Sequence, residues 1–253
     1  RSEKVINFIS TLTVSLSYKG GKIMKRRGRL YVEASKSVDK NKLYTPEEAV
    51  KLVKSLSKRK FDETVEVAMN LNVDTTKSDQ QVRSSFTLPN GTGKTKRVLV
   101  VTKTKAEEAK NAGADFVGDD DIIEKIVKEN WFDFDVMVAT PEMMVSLGKI
   151  GKILGPKGLM PNPKTGTVTT NVSDAIANIR KGMVEYRADS NGNVHALVGK
   201  VSFDEDKLTE NLVSFINEVI KNKPTGVKGS FVKNISISST MGPGVKIDTN
   251  LFK

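Results

Sequence analysis

Thr64-Val65-Glu66-Val67-Ala68-Met69-Asn70-Leu71 alternates side chains of two kinds along its length. Val65, Val67, Met69 and Leu71 share one face, and Thr64, Glu66, Ala68 and Asn70 share the other, which is the period of a half-buried strand. Downstream, Val98-Leu99-Val100-Val101 has no alternation at all. A short continuous apolar run is expected of a strand covered on both faces, as in a parallel sheet. The first pattern then returns. Val184–Arg187 and Val194–Val198 flank Asp189-Ser190-Asn191-Gly192, and Asn-Gly signals a hairpin because it accepts positive φ. Phe231–Ser238 predicts a last strand. This change of period and its return decide the fold: two helix-plus-strand half-domains bracket an α/β insert, with boundaries near 90 and 184.

The segments around these strands fit that frame. Thr45-Pro46-Glu47-Glu48 predicts a helix start, with an N-cap, Pro at the first helical position and Glu three residues after the cap. Ala49, Leu52, Val53 and Leu56 follow at helical spacing as its apolar face. A second strand is expected over Val82–Leu88, ended by Pro89-Asn90-Gly91. Inside the insert, a helix over Ala106–Asn111, a short strand at Phe116-Val117 and a helix over Asp119–Asn130 come next. That last helix is expected to turn Ile122, Ile123, Ile126 and Val127 inward. A strand over Asp135–Ala139, Pro141 with a short helix, and a helix over Ser173–Lys181 complete the insert. Strands alternating with helices imply a parallel layer. Lys207–Lys221 predicts an amphipathic helix carrying Leu208, Leu212, Phe215, Ile216 and Val219, which Pro224 stops from continuing.

Composition narrows the partner. The 253 residues carry 41 Lys plus Arg against 30 Asp plus Glu, a formal charge of +11, so a polyanionic partner is expected. Residues 24–90 with 184–253 hold 23 basic against 17 acidic side chains, a net of +6, while 91–183 hold 14 against 12, a net of +2. The bracketing half is therefore the better candidate for an RNA surface. With no Cys, a disulfide scaffold, a thiol nucleophile and thiolate metal sites are excluded. Residues 1–23 begin with Arg1 and Lys4 before a partly apolar run over 5–16. Interrupting Ser, Thr and Asn, and the lack of an A-x-A pattern, argue against a secretory signal. They are read as a non-native or mis-annotated extension before Met24-Lys25-Arg26-Arg27-Gly28-Arg29, a start with a basic arm.

Three features invite an enzymatic reading and do not sustain it. Gly93-Lys94-Thr95 looks like the end of a phosphate-binding loop, but position 88 is Leu where that motif needs Gly, and the segment leads into a strand rather than a helix. Asp119, Asp120, Asp121 and Glu124 suggest a Mg²⁺ site, yet acidic residues at a helix start are ordinary because they accept free N–H groups. His195, the one histidine, has neither an identified nucleophile nor an acidic orienter, and reads as packed or RNA-proximal. No cofactor and no metal site are expected. Different in kind is Gly155-Pro156-Lys157-Gly158-Leu159-Met160-Pro161-Asn162-Pro163-Lys164-Thr165-Gly166-Thr167. Its prolines remove backbone donors, so it is expected to be a rigid loop. The residues alone support two roles for it, packing of the insert or contact with phosphate through Lys157 and Lys164.

This loop closely resembles the signature of the first-numbered large-subunit ribosomal protein, the L-one family, in its bacterial form. Lys60-Phe61-Asp62-Glu63-Thr64-Val65-Glu66-Val67, Lys77-Ser78-Asp79-Gln80, Leu88-Pro89, Ala112-Gly113-Ala114-Asp115 and Ser239-Thr240-Met241-Gly242-Pro243 resemble further motifs of that family in its own order. The resemblance covers about 24–248. It implies a split α+β domain made from both termini, with a Rossmann-like α/β domain inserted on two hinge strands. It also implies a non-catalytic protein of the large ribosomal subunit that binds 23S rRNA and forms the mobile side stalk. Further implied roles are the release of deacylated tRNA from the exit site and repression of translation through its own operon mRNA. A cytoplasmic, ribosomal location and a monomer when free of RNA follow from the same resemblance.

Carried over by motif, the implied RNA contacts are Phe61, Thr240, Met241 and Gly242, with Lys60 and Thr64 beside Phe61 and Asp189 in the hairpin turn. The basic arm adds Lys25, Arg26, Arg27 and Arg29 as expected phosphate contacts. The residue types suit RNA. Gly242 permits close backbone approach, Thr240 can bond a 2′-OH, Phe61 offers a flat apolar face and Met241 adapts to an irregular surface. Without the resemblance, Phe61 and Met241 would be read as core. A phosphate-handling α/β enzyme and a general polyanion binder are the rival readings.

Overall fold

The computed structural model describes residues 28–252. The expectations for 1–23, and for Lys25, Arg26 and Arg27, lie outside the described residues. In chain order the helices and strands of the first segment are α1 (Arg29–Lys36), α2 (Pro46–Leu56), β1 (Thr64–Leu71) and β2 (Arg83–Thr87). The middle of the chain supplies β3 (Val98–Val101), α3 (Ala106–Asn111), β4 (Phe116–Gly118), α4 (Asp120–Glu129) and β5 (Val136–Ala139). Two short helices, α5 (Met144–Lys149) and α6 (Gly151–Leu154), precede α7 (Val172–Lys181). The last segment contributes β6 (Met183–Arg187), β7 (Asn193–Lys200), α8 (Glu205–Lys221), β8 (Val232–Ser239) and β9 (Val245–Ile247). No helix among the described residues is long and apolar enough to cross a membrane.

The architecture is mixed α/β, with terminal and inserted parts. A four-stranded antiparallel sheet in the order β7-β1-β8-β9 is built from both ends of the chain. Val65, Val67, Met69 and Leu71 of β1 are fully buried against the same core as Ile235 and Ile237 of β8 and Leu208, Leu212, Phe215, Ile216 and Val219 of α8. The alternation read from the sequence thus points α2 and α8 at one sheet face. Thr45 caps α2 through a hydrogen bond from the Glu48 N–H at 3.3 Å. The buried face of α2 is Ala49, Val50 and Val53, with Leu52 and Leu56 only partly covered. That face is rotated from the expected one because α2 also leans on α8 and β9, which the local pattern does not contain.

The middle of the chain folds around a three-stranded parallel sheet in the order β4-β3-β5. Val98–Val101 are completely buried, Leu99 and Val101 into one cluster and Val98 and Val100 into another, so both faces are covered as the unbroken apolar run requires. Within α4 only Ile126 is buried, and Val127, expected inward, is 47% exposed. Ile122 and Ile123 pack at the cluster edge instead. An i, i+3, i+4 pattern defines a stripe, and the narrow contact made by this short helix covers only its centre.

The hairpin expectation needs correction. The turn forms: Gly192 N–H donates to Asp189 O at 3.0 Å and Asp189 N–H to Asn193 O at 2.8 Å. Only Gly192 has positive φ, 76°, so Asn191 does not share the left-handed conformation that a two-residue Asn-Gly turn demands. Beyond an isolated bridge between Ala188 and Val194, the strands part. β6 pairs with β2, from Arg83 opposite Arg187 to Thr87 opposite Met183, while β7 pairs along β1. The two strands joined by the turn therefore enter different sheets. α1 and β9 have no counterpart in the sequence reading. α1 buries no residue and β9 has three residues, too few to show a period.

Candidate nucleic-acid interface

The antiparallel register sets Val65 opposite Ser239, and the chain leaves the sheet at Thr64 on one strand and at Thr240 on the other. These neighbours are 176 residues apart in sequence and doubly tied. Thr64 N–H donates to Thr240 Oγ1 at 3.0 Å, and Thr240 N–H to Thr64 O at 3.0 Å. Thr240 Oγ1 also donates to Thr64 O at 3.2 Å. With its proton and one lone pair engaged in the protein, that hydroxyl keeps only acceptor capacity for a 2′-OH. Its first role is to pin the two segments together.

Beneath the pair lies Glu63, 2% exposed. Its Oε1 accepts from Ser57 Oγ at 2.7 Å and its Oε2 from the Met241 N–H at 3.1 Å. Burial alone would raise this carboxyl, but hydrogen bonds from Ser239, Ser57 and the Met241 amide, with the charge of Arg59, hold it below its ordinary value. It is thus an anionic clasp joining the end of α2, the start of β1 and the turn after β8. A Cβ built on Gly242 would stand 2.5 Å from Ser239 Oγ, so a larger residue there would displace the hydroxyl that bonds Glu63. Gly242 N–H donates to Ser239 O at 3.1 Å and closes the turn.

The clasp leaves two large apolar side chains facing outward, Phe61 at 53% and Met241 at 49% exposure. Lys58 and Lys60 beside them are exposed and Arg59 is half-buried. Lys200 Nζ crosses from β7 to donate to Thr64 Oγ1 at 3.0 Å and Asp62 O at 3.2 Å. Asp62 in turn accepts from Ser202 Oγ at 2.9 Å and Ser202 N–H at 3.1 Å. Exposed apolar surface held by a rigid polar base and ringed with cations suits a nucleic-acid backbone with splayed or irregular bases.

Phe61, Thr64, Thr240, Met241 and Gly242 are therefore brought together, with Lys60 adjoining. Asp189 is not among them. Asn193 faces Asn70 at the far end of β1, and the six residues from there to Thr64 span roughly 20 Å at ~3.4 Å each. The Asp189 carboxylate is occupied by the turn, accepting from the Asn193 and Asn191 N–H groups at 2.8 and 2.9 Å. The Asn193 backbone bond first, then the Asn193 side chain, the Asn191 N–H and His195, lower its carboxyl below the usual range despite some desolvation. Asp189 instead borders a cleft shared with Arg187, Thr75, Asn162 and Lys164. Lys164 thus faces the hairpin turn, whereas Lys157 Nζ sits 3.9 Å over the Phe132 ring, within the middle part of the chain. The Gly/Pro loop also packs on β2, where Ser85 Oγ donates to Thr165 O at 3.1 Å. Arg29 is the first residue of α1, exposed.

The enzyme-like features are otherwise engaged. Gly93-Lys94-Thr95 lies in the connection from β2 to β3 and opens no helix. Asp119 accepts the Asp121 N–H at 3.4 Å, Asp120 meets Lys103 at 3.1 Å and Glu124 meets Lys128 at 2.6 Å. Among the described residues no group of three or more His, Cys, Asp or Glu could hold a metal ion. His195 is exposed on β7 opposite Ala68 rather than packed. Sequence reasoning assigned no role to Glu63, Ser57 or Lys200. For Glu63 a signal existed, because it stands in phase with Val65, Val67, Met69 and Leu71 on the inward face of the strand.

A family model described as "Ribosomal protein L1p/L10e family" matches residues 53–243. Among curated proteins, "Large ribosomal subunit protein uL1" of Mesoplasma florum is 59% identical over 213 residues, covering 84% of this chain and 94% of that protein. The protein of the same name from Mycoplasma capricolum subsp. capricolum is 57% identical over 225 residues, covering 89% of this chain and 100% of the relative. That of Mycoplasma mycoides subsp. mycoides SC is 58% identical over 224 residues, 88% of this chain and 99% of the relative. The matched span holds both halves of the Glu63 clasp and the whole middle sheet between them, and with relatives of this identity and coverage the chain belongs to the ribosomal protein L1p/L10e family.

Proposed function

We propose that this chain is a non-catalytic RNA-binding protein of the large ribosomal subunit, which binds 23S rRNA and forms the mobile side stalk. The observation that carries the reading is the clasp at Glu63, which ties the turn carrying exposed Met241 to the segment carrying exposed Phe61, Lys58 and Lys60. The relatives are by name proteins of the large ribosomal subunit, and their identity to this chain supports extending that role to it. Phe61, Thr240, Met241, Gly242, Lys60 and Thr64 form the main contact, and Lys25, Arg26, Arg27 and Arg29 add phosphate contacts. Asp189 with Lys164 makes a second, separate contact, and Lys157 a peripheral one. Release of deacylated tRNA from the exit site and repression through its own operon mRNA are part of the same proposal. So are a cytoplasmic, ribosomal location and a monomeric state when free of RNA.

In this reading residues 24–90 with 184–253 form the split α+β RNA-binding domain, and residues 91–183 form an inserted Rossmann-like domain. The β2–β6 pairing, which brings the two connections together, supports these boundaries. The test is footprinting of large-subunit rRNA with the purified chain. Protection of one compact helical junction, lost in a Phe61→Ala, Met241→Ala double variant that still unfolds cooperatively, is the expected result. Protection scattered over the rRNA, or unchanged in the double variant, would refute the assignment.

A further inference from the structure

Between α1 and the Glu63 clasp runs a groove that the proposed contact residues only half account for. Leu30 and Ala34 of α1 line it together with Leu56, Met241, Gly242 and the buried Glu63. Lys58, Arg59 and Glu33 bring charge to the same lining. α1 buries no side chain, yet it is amphipathic and holds Leu30 at 41% exposure toward this groove. Its cavity volume of about 180 Å³ is small beside the ~300–1,000 Å³ of pockets that enclose a free small molecule. A space of that size suits one flat group inserted from a larger ligand already bound alongside.

We infer that the groove receives a single unpaired nucleotide of the bound RNA, its base between α1 and Met241 and its phosphate toward Lys58 and Arg59. This inference rests on the RNA-binding reading above, because Met241 and Gly242 belong both to that interface and to this groove, and the two surfaces are continuous. Charge sets the orientation. Neither Lys58 nor Arg59 has an ion-pair partner within 4.0 Å among the described residues. Lys58 is exposed and meets a phosphate directly, Arg59 adds to the same field while also acting on Glu63, and Glu33 disfavours a phosphate near itself. The walls are aliphatic and thioether groups, which take a base face of any identity, and a splayed base is what a protein most readily reads in RNA. Glu33, a carboxylate on the same lining, can accept from a base edge and favours a base with an exocyclic amine.

The experiment uses the full chain and the rRNA fragment it protects, with 2-aminopurine placed in turn at each unpaired position. One position is expected to change fluorescence on binding the wild type. Ala34→Phe, which fills the groove from a half-buried position, should abolish that change and weaken binding about tenfold or more. Leu30→Ser, which opens one wall without adding bulk, should weaken binding in the same direction with an unchanged melting temperature. An abasic nucleotide at the reporting position should cost wild type a similar factor and cost Ala34→Phe nothing. If Ala34→Phe and Leu30→Ser bind and report like wild type while Phe61→Ala weakens binding, the groove inference fails and the interface stands. If the wild-type chain does not bind the rRNA, both fail together.

Discussion

The buried carboxylate of Glu63 accepts the backbone N–H of Met241 at 3.1 Å, across 178 residues of sequence. This bond lets a turn that follows the last long strand stand beside a segment that precedes the first. Because a backbone amide is the donor, the bond fixes the position of residue 241 whatever its side chain, and leaves the thioether outside.

Removing that carboxylate should loosen the site and destabilise the fold. Glu63→Ala is expected to cost about 1–3 kcal/mol, since the Met241 amide and Ser57 hydroxyl lose a buried acceptor. The folded carboxyl lies below its ordinary 4.5, so its stabilising contribution is complete above that value and is lost as pH falls through the lower folded value. Urea unfolding of wild type and variant from about pH 7 to about pH 3 should therefore converge at the acid end. A variant as stable as wild type near neutrality would show that the clasp contributes nothing.

Phe61→Ala and Met241→Ala should each weaken RNA binding about tenfold or more while barely changing the melting temperature. Both side chains are half-exposed, so little core packing is removed, whereas deleting one stacking platform costs ~1–3 kcal/mol of affinity. Titration against cognate and mutated RNA measures this. A large drop in stability with unchanged affinity would make them core residues after all.

Neutralising Lys25, Arg26, Arg27 and Arg29 together should flatten the dependence of log affinity on log salt. Each phosphate that the arm no longer neutralises lowers the slope by ~0.7–0.9, because fewer counterions are released on binding. Discrimination between cognate and mutated RNA should stay the same, since phosphate contacts position rather than specify. Arg29 itself opens α1, which flanks the Met241 groove. An unchanged slope would place it away from the RNA.

Gly182→Ala should destabilise the junction between the bracketing strands and the middle sheet. Gly182 has φ 105°, and an added Cβ would lie 2.7 Å from the Gly91 Cα and 2.9 Å from the Thr92 N. A left-handed conformation costs a residue with Cβ about 1–2 kcal/mol, and neither clash can be relieved without moving backbone. Thermal unfolding that matches wild type would mean that the crossing relaxes freely.

Joining residue 90 to residue 184 with a short Gly/Ser linker should leave a folded protein that keeps most of the rRNA affinity. Leu88 N–H already donates to Gly182 O at 3.4 Å, so the ends to be joined are neighbours and closing a short loop costs little entropy. The detached 91–183 piece, at +2, should bind weakly and without discrimination. Discrimination retained by that piece alone would move the site out of the bracketing strands.

Much of the fold was legible because period reports burial directly. Val65, Val67, Met69 and Leu71 had to face one way, and Val98–Val101 had to be covered on both sides, as both are. Where the signal was local it also held for the cap of α2 at Thr45. Where a helix touched several partners at once the pattern missed a buried residue, Val50, and where a short helix made a narrow contact it counted an exposed one, Val127, as inward.

The motif residues Phe61, Thr64, Thr240, Met241 and Gly242 could be named from the sequence, but their arrangement could not. By itself the sequence determined the alternation of β1, the unbroken run of β3 and the residue types of the contact motif; Glu63 in phase with the inward face was a signal of a buried acid that the reading did not use. Only the tertiary structure decided that β6 leaves its turn partner for β2, that Asp189 stands a sheet's length from Phe61, and that the Thr240 hydroxyl is already engaged. The reason is physical. Periodicity is a property of neighbours along one chain, set by how each side chain leaves its own backbone. Pairing register, the distance between two loops, and the lone pairs left on a hydroxyl are set by segments some 176 residues apart, and they exist only once the sheet has closed.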